Sequence, residues 1–136
     1  MADVSKIKLD NTTYDVKDSI ARNNMIYSNN EIAVGTWIDN KTIYRKVLTH
    51  PATSYIASNT QITIPHQINN LNEVIKCDAI AIWNGEKFMP MPSHYQNVTN
   101  IISVNYIDST NLYFTSFNDN WGATKVYFII EYTKTN

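Results

Sequence analysis

Three histidines, His50, His66 and His94, and four glutamates, Glu31, Glu73, Glu86 and Glu131, are the side chains best suited to metal or acid–base chemistry. The histidines are far apart in sequence, and none has a Cys or a second His at zinc-finger or HExxH spacing. His50 and His66 each adjoin a proline, Pro51 and Pro65, which places both in loops. The glutamates could pair across strands as the carboxylates of a glycosidase do, but exposed strand edges carry charges in any β-protein. Cys77 is the single cysteine and sits in an apolar stretch, which describes a small buried hydrophobe better than a thiolate nucleophile.

The nucleophile signatures G-x-S-x-G and S-x-x-K with K-T-G are absent from the sequence. "DNWG", Asp119 to Gly122, is too short for a calcium loop, and three glycines offer no phosphate cradle. The expectation is a protein that is not an enzyme and needs no cofactor and no metal.

Aromatic side chains are the remaining candidates. Trp37, Tyr44, Trp83, Tyr106, Tyr113, Phe114, Trp121 and Tyr127 could stack on sugars or serve as interface anchors, because rings give large contact area at low entropic cost. Trp83 ends the run Ala79 to Ile82, and Phe128 lies within "VYFII", so pattern assigns both to a core. Trp121 stands in the polar stretch "FNDNWGATK", where binding and packing remain equal readings. Trp121, Trp37 and Tyr44 are the candidate ligand or interface residues.

These residues need a scaffold, and its size is bounded by 136 residues, enough for one domain with a short appendage. Formal net charge is -1, from 11 Lys and Arg against 12 Asp and Glu. A chain so balanced has no basic field for nucleic acid or an anionic membrane. No window approaches the roughly 18 apolar residues of a membrane span, and the N-terminus lacks an apolar signal region, so a soluble product made in the cytoplasm is expected.

Turn signals recur along the chain with alternating apolar residues between them. "KIKLDNTTYDVKD" reads as a small hairpin around Asp10-Asn11, and Ser19 to Asn30 as a hinge or single helical turn. Glu31 to Ile38 and Lys41 to Thr49 form a hairpin through Asp39-Asn40. "QITI" ends at Pro65, which favours a sheet edge. Asn84-Gly85 predicts a two-residue turn, Asn100 to Ile107 pairs with Asn111 to Phe117, and Thr124 to Lys134 is the last strand. In that strand Val126, Phe128, Ile130 and Tyr132 share one face. Only "INNLNEVIKC" has helical spacing, at Ile68, Leu71, Val74 and Ile75. The predicted class is all-β: a small antiparallel β-sandwich, jelly-roll-like, over residues 31–136, with an N-terminal β-hairpin and linker over residues 1–30.

Two stretches carry a resemblance. "MADVSKIKLDNTTYDVKDSIAR", Met1 to Arg22, resembles the N-terminal element of bacteriophage fibre-type virion proteins. "EIAVGTWIDNKTIYRKVL", Glu31 to Leu48, is similar to the GTWIDGKPIYRK hairpin that opens their small C-terminal domain, and "EYTKTN" to its usual ending. Here Asn40-Lys41-Thr42 stands where Gly-Lys-Pro is common, and Asn tolerates the same turn.

The resemblance implies a short head fibre or capsid decoration protein of the virion, commonly a homotrimer, made in the host cytoplasm. It would be held to capsid or tail proteins by its N-terminus, with Ile7, Leu9, Tyr14 and Val16 as anchor residues, and its β-sandwich knob would face outward toward host surface glycan. A tail-fibre receptor-binding protein is the alternative within the family. A free carbohydrate-binding module using Trp121 is the alternative outside it.

Overall fold

The computed structural model describes residues 6–9, 12–15, 26–51, 55–56, 59–83, 85–95, 97–117 and 121–135, with side chains over most of 26–51, 59–92, 102–116 and 124–135. Every regular element among them is a strand. β1 (Lys6–Leu9) pairs antiparallel with β2 (Thr12–Asp15) in a two-stranded sheet of their own. Anchor candidates Ile7, Leu9 and Tyr14 fall on these strands, and Val16 lies outside the described residues.

The body is a sandwich of two antiparallel sheets. The larger comprises β3 (Ile32–Thr36), β4 (Thr42–His50), β12 (Trp121–Lys134), β7 (Leu71–Trp83) and β8 (Lys87–Pro90) in that order, with β5 (Tyr55–Ile56) also paired to β12. The smaller runs β6 (Thr60–Pro65), β11 (Asn111–Phe117), β10 (Asn97–Ile107), β9 (Ser93–Tyr95). Pro65, which has no N–H to donate, is at the end of an edge strand.

β12 shows why the sheets stack. Val126, Phe128, Ile130 and Tyr132 are fully buried along its inner face. Across the sandwich they meet Ile102, Leu112 and Phe114, also fully buried, and the rings of Phe114 and Phe128 lie 5.2 Å apart. Two interlocked inner faces of this kind are the core of a sheet-on-sheet packing. Partly buried Ile62, Ile64, Val104 and Ile107 extend it along the smaller sheet.

Four local expectations are corrected. The 68–75 stretch is not helical: Leu71 to Ile75 open β7. Two bulges explain the spacing, since Tyr132 and Thr133 pair with Val74 and Glu73 while Ile75 and Asn72 are passed over. Each extra residue lengthens an inward step from two positions to three, so Leu71, Val74, Cys77 and Ala79 face the core in a strand that imitates a helical pattern. The first strand of the β3–β4 hairpin stops at Thr36, and Ile38 sits 88 % exposed in the turn. Asn40 takes φ 65° and its N–H bonds the Trp37 carbonyl at 2.9 Å, the αL geometry that ends a three-residue hairpin loop.

The loop at Asn84-Gly85 also has one residue more than a two-residue turn. Glu86 N–H bonds the Trp83 carbonyl at 3.1 Å, Gly85 has φ 73°, and pairing resumes at Trp83 opposite Lys87. Finally, Trp83 is half-buried with the Lys87 ammonium 4.7 Å from its ring centre, whereas Phe128 is fully buried as expected.

Candidate functional site

At the β3–β4 end of the larger sheet, polar groups pack around the hairpin that the sequence singled out. Tyr132 is buried, and its hydroxyl donates to Glu31 Oε2 at 2.5 Å. Lys134 Nζ donates to Glu31 Oε1 at 2.6 Å. Burial and the accepting carboxylate hold the Tyr132 phenol well above its ordinary range. Next to it Arg45 Nε and a terminal guanidinium nitrogen both donate to Glu131 Oε1, at 2.9 and 2.5 Å. Glu31 and Glu131 are therefore committed to structural partners and do not form a free carboxylate pair.

Tyr44 belongs to this cluster. Its ring stacks on Tyr132 at 6.1 Å, and the Lys134 ammonium lies 5.0 Å from its centre. Half-buried Tyr44 also lines a polar cleft of about 330 Å³ with Asp39, Asn40, Lys41, Thr42 and Lys134. Trp37 is half-buried beside that cleft, where its N–H bonds the Lys41 carbonyl at 2.8 Å. Trp121 is not in a loop: it is the first residue of β12, paired with Ile56, and its side chain lies outside the described residues. The structure thus brings Trp37 and Tyr44 to one end of the larger sheet and starts β12 at Trp121.

A second surface was not anticipated. The outer face of the larger sheet carries Val47, Ile129, Tyr127 and Ile80 in adjoining cross-strand rows, with Ile80 38 % exposed. Residues 27–29 run beside β4, tied by a 2.9 Å bond from Val47 N–H to the Ser28 carbonyl, and wall a groove of about 430 Å³ with Val47, Ile80, Tyr127 and Ile129. Ile82 and Phe88, the latter 70 % exposed, continue the apolar surface toward β8.

Two ion pairs lie at the rim, Arg45 with Glu131 and Lys76 with Asp78 at 2.8 Å, and the Lys125 ammonium lies 4.8 Å from the Tyr127 ring centre. Tyr27 covers the Arg45 guanidinium at 4.8 Å. A signal was available in the sequence, because Val126 to Ile130 is apolar on both sides of the strand, the composition of a strand covered on both faces.

The reactive side chains have structural roles. His66 lies in the segment after β6, as expected, and is buried there: Nδ1 accepts the Ile68 N–H at 3.0 Å, so Nε2 is the atom that donates to the Asp108 carbonyl at 3.1 Å. That bond and the Lys46 ammonium on the His66 carbonyl at 2.8 Å join the ends of the two sheets. His50 is the last residue of β4, not a loop residue, and packs edge-on to Phe114 at 5.3 Å; burial lowers its pKa.

Burial pushes the Cys77 thiol up to about 11, which leaves it protonated at neutral pH. Glu73 and Glu86 are exposed, and the His94 side chain lies outside the described residues. Among the described residues no group of three His, Cys, Asp or Glu side chains is placed to hold a metal ion. No family profile, no curated protein and no solved structure matches this chain significantly.

Proposed function

We propose that the chain is a non-enzymatic bacteriophage virion protein, a short head fibre or capsid decoration protein that assembles as an oligomer and exposes its β-sandwich. The observation that carries this reading is the outer face of the larger sheet. β12 has the composition of a strand covered twice, the smaller sheet covers one side, and residues 27–29 only wall a groove on the other. The occupant we assign to the remainder is a second copy of the chain. A rim that carries both signs of charge, Arg45–Glu131 and Lys76–Asp78, lets another copy of the chain pack against this face without net repulsion.

The resemblance of Met1 to Arg22 to the attachment element of phage fibres supplies the virion half of the reading, and the symmetry it implies is trimeric. Peptide mass spectrometry of purified particles tests that half. The chain should be present in stoichiometric copies per particle, and its absence from particles that infect normally would overturn the assignment. A chain starting at Glu31 should keep its oligomeric mass while losing attachment to particles.

A further inference from the structure

The outer face of the smaller sheet has a different chemistry. Tyr106 and Tyr113, opposite each other on β10 and β11, stack with ring centres 4.4 Å apart and planes 27° from parallel. Tyr106 is 51 % exposed. Its exposure depends on a bulge: Val104 pairs with Phe114 and Tyr106 with Tyr113, so Asn105 is the extra residue. Strict alternation from buried Ile102 would turn Tyr106 inward; the bulge turns it out, and Ile107 returns to the core. β9 pairs with β10 only as far as Ile102, so the edge of β10 beside Tyr106 is open among the described residues.

Amides and hydroxyls surround the rings. Asn105 Nδ2 donates to Thr115 Oγ1 at 2.6 Å and to Gln61 Oε1 at 3.2 Å, which leaves Asn105 Oδ1 and Gln61 Nε2 for a ligand. Asp108 accepts the Tyr113 hydroxyl at 2.9 Å and fixes that ring, with its other oxygen bonded by the Thr110 and Asn111 N–H groups at 2.8 and 2.7 Å. No Lys or Arg lies on β6, on β11 or on β10. A phosphate or a uronic acid would therefore find no Lys or Arg on these three strands and would meet the Asp108 carboxylate.

We propose that this face binds a neutral pyranose-containing glycan, with Tyr106 as the stacking platform and Asn105 and Gln61 as the groups that meet its hydroxyls. A pyranose presents an apolar C–H face to an aromatic ring and a hydroxyl rim to planar amides, and the outer face offers both within one sheet. The inference deepens the adhesive part of the fibre reading and rests on it for its setting.

Saturation-transfer NMR on the full chain with chitotetraose, maltotetraose, cellotetraose and mannotetraose tests it. At least one should receive saturation and shift the Tyr106 ring signals. Tyr106→Ala should weaken that binding by about tenfold or more, as truncation of an aromatic anchor does, while Ile38→Ala, in the exposed turn between β3 and β4, leaves it unchanged. Tyr106→Trp keeps a platform and should retain binding, which separates loss of the ring from loss of the fold. Silence from all four sugars, undiminished binding by Tyr106→Ala, or binding confined to tetragalacturonate would overturn the proposal. Glycan binding by a chain absent from particles would remove the virion reading and leave this site standing; a particle-borne chain that binds none would do the reverse.

Discussion

On the outside of the larger sheet Val47, Ile80 and Ile129 lie among charged residues; on the outside of the smaller one exposed Gln61, Thr63 and Asn105 accompany two tyrosine rings. Both sheets contribute the same kind of residue to the core, so the contrast is confined to the alternate positions that the core leaves alone. An apolar face among charged residues is stabilised by exclusion of water and suits a protein surface. A face of amides, hydroxyls and one exposed ring can keep its water and exchange it for a polyol. Under the proposed reading, assembly belongs to one side of the sandwich and recognition to the other.

The largest effect comes from cutting what both faces share. Phe114→Ala removes a buried ring that touches Phe128 and His50, and should lower unfolding stability by about 3–5 kcal/mol in urea titrations. Both surface functions should fall together as the folded fraction falls.

Tyr132→Phe comes next. It leaves the packing in place but removes the hydroxyl's bond to Glu31 Oε2, a loss of roughly 0.5–1.5 kcal/mol because the carboxylate keeps Lys134 and its contact with water. This change should leave sugar binding at Tyr106 intact. An equal loss of sugar binding in the folded variant would show that the faces are coupled.

The smallest effect is pH-dependent and belongs to the smaller sheet. Hydrogen bonds from the Thr110 and Asn111 N–H groups hold the Asp108 carboxyl down at about 2, from an ordinary 3.8. A lowered folded pKa means that the folded state favours the ionised form, so the contribution is fully present above about pH 4 and is lost as pH falls toward 2. The urea midpoints of the wild type and Asp108→Ala should therefore differ above pH 4 and converge near pH 2. A constant difference across that range would contradict the assigned role of the charge.

Much of this architecture is legible in the sequence where alternation is uninterrupted. Val126 to Tyr132 gives its inner face directly, and the Asp108 turn is marked by Asp-Ser-Thr between two alternating runs. Legibility fails where a bulge adds a residue. Leu71 to Cys77 looks helical for that reason, and Tyr106 falls in register with buried Ile102 and Val104 when it is in fact exposed. His66 was obscured differently: its sequence neighbour Pro65 does mark a strand end, but the buried bonds to Ile68 and Asp108 depend on a crossing between sheets that no local pattern encodes. Tyr44 was legible as an aromatic beside a turn, while its contacts with Tyr132 and Lys134 come from β12, far away in sequence.

The most direct test of the division between the faces is the light-scattering mass of the full chain and of Ile80→Glu at equal concentration. Ile80 is 38 % exposed and turned away from the core, and a thermal melt of the variant by circular dichroism checks that it folds. The account predicts a wild-type mass that is a multiple of 15.6 kDa, and a folded Ile80→Glu chain that runs at 15.6 kDa. A wild-type monomer, or an oligomer that the buried carboxylate leaves intact, would contradict it.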